Sequence, residues 1–345
     1  MLQLNEITNI PDAFFQLTSL ADIHHVFPQP TLIHLQGENP QPLFVSVLMH
    51  GNEDTGFFAI QKLLLKYQQR KLPRALSIFI GNVSAARSGL RRLNGQPDYN
   101  RVWPGSDVID CPESRLMLQV VERMQQTLPF ASIDLHNNTG MNPHYGCINR
   151  LDVKFLQLAK LFSRTVVYFE TPTGVQSMAF AEFCPAITVE CGKPHLPNGI
   201  AHAMDYVDSV LHLSDIEGEP VSEKDVDLFH TVARVTVSEN CSFSFTDRQA
   251  DIFLDPGIEQ LNFSEAQKGM PFGEVGDGVG MGMGLIAWDD RGNDMTERFF
   301  QKVQSQIQLN ISAMPAMITL NEEIVRQDCL CYLMERMQWE WSRTS

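Results

Sequence analysis

The chain has no apolar run near the ~20 residues that a membrane-spanning helix needs, so no membrane partner is expected. Its first residues, MLQLNEITNIPDAFF, lack the basic stretch and apolar core of a secretory leader. The expected compartment is the cytoplasm. Positive charge is scarce: 26 Lys and Arg against 41 Asp and Glu leave a net charge of −15, the reverse of the basic footprint that a phosphate backbone requires. Nucleic acid is therefore excluded as a partner. The seven cysteines are an odd number and contain no C-x-x-C pair, which argues against a disulfide framework and against a structural zinc site. Reduced, mostly buried thiols are expected, and the Cys329/Cys331 pair alone is too few ligands for a metal.

Two further motifs are incomplete. The run GMPFGEVGDGVGMGMGLIAW at 269–288 has no G-K-[ST] ending and no preceding βα context for a phosphate loop, so it reads as tight β turns. WDDRGND at 288–294 lacks the spacing of a calcium loop and reads as a solvated turn.

What is present is a large core. With 345 residues and 43% hydrophobic content, the chain can hold one large domain or two ordinary ones. Residues 1–215 alternate strand-like apolar runs (31–36, 43–49, 76–81, 132–135, 165–169, 186–190) with amphipathic helical stretches (56–69, 114–126, 153–162, 199–212). That pattern predicts a doubly wound α/β domain. An acidic segment at 214–223, with Gly218 and Pro220, reads as a linker. Residues 216–345 then change to β-like segments (231–237, 242–246), which predicts a smaller β-rich C-terminal domain.

Two of the apolar runs end in residues that carry chemistry. LFVSVLMHGNEDTG at 43–56 supplies His50 and Glu53, and FASIDLHNNTG at 130–140 supplies His136. Two imidazoles and one carboxylate are the ligand set of a catalytic zinc site, with one coordination position left for water. Both segments sit where strands of an open α/β sheet end, which is where ligand crevices form. In an extended segment Asp134 and His136 share a face; Asp134 then either orients the imidazole from behind or caps a turn.

Between these segments, residues 81–105 concentrate Arg87, Arg91, Arg92 and Arg101 against one acid, Asp98. Arginine's planar fork suits bidentate capture of a carboxylate, although a solvated polar turn reads the same way. Glu190 ends the β-branched run PAITVE and faces the same crevice as the two histidines. It is the candidate general base, or else an ion-pair partner for one of the arginines.

Taken together, HGNE at 50–53, the N-x-x-A-x5-R pattern from Asn82 through Ala85 to Arg91, D-x-N-R at 98–101, DLH at 134–136 and VECG around Glu190 resemble the succinylglutamate desuccinylase/aspartoacylase family of the zinc carboxypeptidase superfamily. The resemblance covers the first domain. It implies a zinc carboxypeptidase-like mixed sheet, one Zn2+ per chain on His50, Glu53 and His136, Glu190 as catalytic acid/base, Arg91 at the reacting carbonyl, and Asn100 and Arg101 as substrate contacts. The match weakens after His136, where DLHNNTGMNPHYGCINR departs from the family's continuation. The substrate therefore does not transfer, and His144, Tyr145 and Arg150 become the specificity candidates.

The expected activity is hydrolysis of the amide bond of an N-acyl amino acid or a similar small carboxylate-bearing molecule. A zinc metallocarboxypeptidase acting on short peptides is the alternative. Homo-oligomerisation stays open.

Overall fold

The computed structural model describes residues 2–107, 110–216, 221–276 and 283–338. These fall into two compact units, residues 2–137 with His144–Asp227, and Asn138–Pro143 with Leu228–Gln338. Gly218 and Pro220 of the expected linker, and Gly278, Gly280 and Gly282 of the glycine run, lie outside the described residues.

The first unit is α/β. Its strands are β1 (Asn5–Ile7), β2 (Thr31–Leu35), β3 (Gly37–Val47), β4 (Leu72–Ile80), β5 (Ala131–His136), β6 (Tyr145–Ile148), β7 (Thr165–Tyr168) and β8 (Ala186–Glu190). They lie in the order β1-β2-β4-β3-β5-β8-β6-β7. The four at the centre, β4, β3, β5 and β8, run parallel. The sheet is mixed because β2 pairs antiparallel with β4, and β6 antiparallel with β8. Leu43–Val47 and all of β5 and β8 are buried, as expected of strands covered on both faces.

The helices are α1 (Thr55–Lys66), α2 (Val83–Arg87), α3 (Pro112–Thr127), α4 (Val153–Phe162), α5 (Gln176–Ala181) and α6 (Pro197–Leu211). Their ends follow local chemistry. Pro112 starts α3 behind a Cys111–Ser114 capping box, Asp152 caps α4 through the Lys154 N–H, and Pro197 starts α6. Alternation along β3 puts helices on opposite faces: Phe44 stacks on Phe180 of α5 at 4.3 Å, whereas Val47, an odd number of residues away, meets α1 at Gly56.

The short strand β6 is not among the strand-like runs read from the sequence. Four residues including a glycine are too few for a periodic signal. Its register is set by β8, with Tyr145 opposite Glu190 and Cys147 opposite Thr188.

The second unit is β-rich. Strands β9 (Asp227–Val237), β13 (Leu285–Trp288), β16 (Met314–Ala316) and β17 (Cys331–Arg336) pair antiparallel in the order β13-β9-β17-β16. Strands β10 (Phe243–Ser244), β11 (Ile252–Leu254), β12 (Pro271–Val275), β14 (Phe300–Val303) and β15 (Gln306–Leu309) form a separate sheet. Two short helices, α7 (Thr296–Phe299) and α8 (Glu322–Gln327), complete it. Its core includes Val235, Leu254, Phe272, Phe299, Phe300 and Leu333. The ends of the glycine run are the strands β12 and β13, with Gly269 and Gly284 in left-handed turns, and Asp289 closes a tight turn onto Arg291 and Asn293. All seven cysteines are unpaired thiols; Cys184, Cys191, Cys329 and Cys331 are buried.

Candidate metal centre

Strand β3 delivers the first two candidate ligands by stopping abruptly. Leu48 takes a left-handed backbone (φ 59°), unusual for a branched side chain, and turns the chain out of the sheet just before His50. Glu53 follows in a tight loop whose amide donates to the His50 carbonyl at 3.2 Å. Gly51 between them has to be glycine: a Cβ there would lie 2.2 Å from the Ala86 nitrogen and 2.3 Å from the Ala85 carbonyl carbon. The loop is thus pressed onto α2, which Asn82 caps by accepting from the Ala85 amide at 3.1 Å. The Asn82…Ala85…Arg91 spacing has a physical reading: cap, close contact, and a chain return in which the Arg91 carbonyl accepts from Gly51 at 3.1 Å.

His136 is the last residue of β5, in register with Glu190 at the end of β8. It comes together with His50 and Glu53, the potential donor atoms of all three lying within 4.8 Å of one another, all buried. Nδ1 of His50 is 2.7 Å from Oε1 of Glu53, and Nδ1 of His136 is 2.7 Å from its Oε2. The outer nitrogens are matched in the same way: Nε2 of His50 lies 2.9 Å from Asp98 Oδ1 and Nε2 of His136 lies 2.8 Å from Asp134 Oδ2. Asp134, fully buried, also accepts from Ser46 at 2.6 Å. The Asn137 amide donates to Glu53 Oε2 at 3.1 Å.

Electrostatics follow from this packing. Burial and the nearby Arg91 push the His50 pKa down, but Asp98 and Glu53 outweigh them and it ends raised. Burial likewise opposes charge on His136, yet Asp134 and Glu53 hold its pKa well above the ordinary value. Burial would raise Glu53 and Asp98; the imidazoles, with Arg91 beside Asp98, hold both carboxyls far below the usual range. The donor set suits a divalent cation: two imidazoles and a carboxylate converge, and each imidazole is backed by its own carboxylate, the arrangement that orients metal-bound histidines.

The arginine-rich loop divides. Arg91 makes a two-pronged contact with Asp98 Oδ2, from Nε at 3.2 Å and Nη2 at 2.9 Å, and its Nη1 is 4.0 Å from Glu53. Arg92 donates to the Gln96 carbonyl, and Arg87 is exposed. Arg101 donates to the Asn100 carbonyl at 2.8 Å. Asn100 is buried: its amide donates to Asp98 at 2.8 Å, its Oδ1 accepts from the Gln176 amide at 2.9 Å, and its Nδ2 is 3.0 Å from His136 Nε2 and 3.2 Å from Asp134.

Glu190 is buried beside His136 in register. His144 stacks on His202 with ring centroids 4.8 Å apart, and its Nε2 approaches Gly192, two residues past Glu190. Burial and His202 lower its pKa. Tyr145 is buried opposite Glu190, whereas Arg150 makes an exposed pair with Glu182.

Asp98 is the residue that sequence reasoning undervalued, treating it as a lone counter-charge. The D-x-N-R pattern marked it, but only the folded loop brings it behind His50. Asn137, next to a candidate ligand, was passed over as well. It bridges loops by donating to the Gly192 carbonyl at 2.7 Å and accepting from the Thr55 amide at 3.2 Å.

Residues 41–211, which span this whole cluster, match the succinylglutamate desuccinylase/aspartoacylase catalytic domain. The chain belongs to that family. Its members are hydrolases of the N-acyl amino acid deacylase type. Among solved structures, a succinylglutamate desuccinylase from Chromobacterium violaceum superposes with a TM-score of 0.59 at 16% identity, covering 89% of both chains. A second, from Vibrio parahaemolyticus, gives 0.59 at 14% identity over 90% of this chain and 88% of that one. Murine aminoacylase 3 gives 0.54 at 15% identity over 87% and 96%. At these identities the likeness is one of fold. No curated protein matches the chain in sequence.

Proposed function

We propose that the protein is a zinc-dependent hydrolase that cleaves the amide bond of an N-acyl amino acid or a similar small substrate bearing a carboxylate. The observation that carries this reading is the convergence of two imidazole Nδ1 atoms on the two oxygens of Glu53, with Asp98 and Asp134 behind them. His50, Glu53 and His136 would hold one Zn2+. When bound, zinc supplies a Lewis acid and brings the pKa of water at the site towards ~7.

The chain's own groups do the rest. Glu190 takes the proton of the attacking water and hands it to the departing amine, which must leave as a neutral species. Arg91, tied to the cluster through Asp98, brings its guanidinium charge to the oxyanion that develops at the carbonyl. Arg101 holds the substrate carboxylate, and Asn100 beside it links that contact to His136, so the amide is held within reach of attack. His144, stacked behind the Glu190 loop, bears on the shape of the acyl side. In this reading residues 1–215 carry the chemistry and residues 216–345 form a separate domain.

The test is turnover of the purified, zinc-loaded protein against a panel of N-acyl amino acids and short peptides, followed by release of free amine. Deacylation of one or more N-acyl amino acids is expected. Hydrolysis of peptides alone would replace the deacylase with a metallocarboxypeptidase, and saturable binding without turnover would overturn the hydrolase reading.

A further inference from the structure

Strands β3 and β4 run parallel towards the metal loops, and their opposite ends border a groove of about 1150 Å³. Gly37, which lines it, pairs with Leu72, eight β4 residues before Ile80, the partner of Val47, roughly 26 Å at the rise of a β-strand. Its near edge, at Pro42 and Ser77, lies five and three strand residues short of Val47 and Ile80, and no residue given a role in the chemistry lines it.

Its lining is unlike the rest of the chain. In a sequence with 41 acidic residues, no Asp or Glu lines the groove. Ile10, Phe15, Leu35 and Leu72 make one part apolar, and Arg70, Lys71 and Arg123 bring positive charge to it. These cations are not equivalent. Arg123 donates to Glu6 at 2.9 Å, which neutralises that side. Arg70 lies over the Tyr67 ring at 4.4 Å, and the acid nearest in that contact chain, Asp208, accepts from Lys66 and Tyr67, each at 2.6 Å. Among the described residues neither Arg70 nor Lys71 makes an ion pair, and both are exposed.

We propose that this groove is a second binding site, for a small single-chain amphiphile with an anionic head, its carboxylate held by Arg70 and Lys71 and its hydrocarbon laid along the apolar lining. Each half of the ligand answers a feature of the groove. A bare inorganic anion would leave the apolar residues wet, and a neutral hydrocarbon would leave two unmatched cations. The groove shares no lining residue with the His50, Glu53 and His136 cluster, so it counts as a site of its own. This inference is independent of the hydrolase reading.

Equilibrium titration of the full chain with octanoate, decanoate and dodecanoate, each below its micelle concentration, tests it. Saturable binding is expected to tighten about fourfold per added methylene, the factor that burial of one CH2 supplies. Decanol and decyltrimethylammonium should bind at least tenfold more weakly than decanoate, and inorganic phosphate should not compete. The double substitution Arg70→Glu/Lys71→Glu, at two exposed positions, should lower decanoate affinity at least tenfold with unchanged circular dichroism. Absence of saturable binding, binding indifferent to the head group, or equal affinity in the double variant would each overturn the proposal. A concentration-dependent dimer in sedimentation, lost in the double variant and formed without carboxylate binding, would overturn it in favour of a second copy of the chain.

Discussion

Nε2 of His136 lies 2.8 Å from Oδ2 of Asp134, two residues earlier on the same strand. The pleat makes this contact almost unavoidable, because residues i and i+2 project from the same face. The ring is thereby turned so that Nδ1, and not Nε2, faces Glu53. Asp98 does the same for His50 from a loop 48 residues further along.

If these two carboxylates orient the imidazoles, removing either should loosen the metal without removing a ligand. Asp134→Asn and Asp98→Asn are each expected to weaken zinc affinity by about 10- to 100-fold, the usual effect of losing such a partner. Competition against a chelator of known affinity measures this. Wild-type affinity in both variants would mean that packing alone holds the rings.

Removal of a ligand should be more severe. His136→Ala is expected to abolish zinc retention and turnover together, while the wild-type protein carries one zinc per chain by metal analysis. Chelation should inactivate the wild type, and zinc should restore it. Zinc content unchanged in His136→Ala would remove that residue from the ligand set.

Much of this centre could be read before the fold was known. His50, Glu53 and His136 were legible because each follows an apolar run, and runs in an alternating α/β pattern end at one edge of the sheet. Residues 186–190 were expected to form a strand ending at Glu190, and β8 has those bounds. Asp98 was harder to read because a loop's path is set by contacts distant in sequence, here the approach of Gly51 to α2 and its bond to the Arg91 carbonyl. The strand β6 was invisible for a related reason: its pairing partners, β7 and β8, lie about 20 and 40 residues away, and nothing within Tyr145–Ile148 announces it.

Glu190→Gln preserves size and hydrogen-bonding shape but cannot take up and return a proton. The variant should fold, keep its zinc and bind substrate while turnover falls by ~10²–10⁴-fold. Single-turnover measurements on zinc-replete protein check this. Near-normal turnover with the metal in place would end the assignment of Glu190 as base.

Arg101→Ala should penalise substrates that carry the recognised carboxylate far more than their neutral amides. A hydrogen bond to a charged group is commonly worth ~1.5–3 kcal/mol, so a loss of about one to two orders of magnitude in kcat/KM is expected for the charged series. Equal losses for charged and neutral substrates would mean that Arg101 acts through its bond to the Asn100 carbonyl and not through substrate.

Directly after His136 and Asn137 the chain leaves the first unit for six residues, Asn138–Pro143, and then returns. Within the second unit this hexapeptide is held at several points: Asn142 accepts from the Met317 amide at 2.9 Å, Thr139 donates to Thr319 at 2.9 Å, and Met141 donates to Glu259 at 2.9 Å. Gly140 packs so closely on the Ile318 carbonyl that a side chain there would overlap it. The consequence is one of gene architecture: a reading frame cut at residue 227 would still encode six residues whose partners are encoded after the cut, so recombination at that junction cannot exchange one unit without leaving part of the other behind.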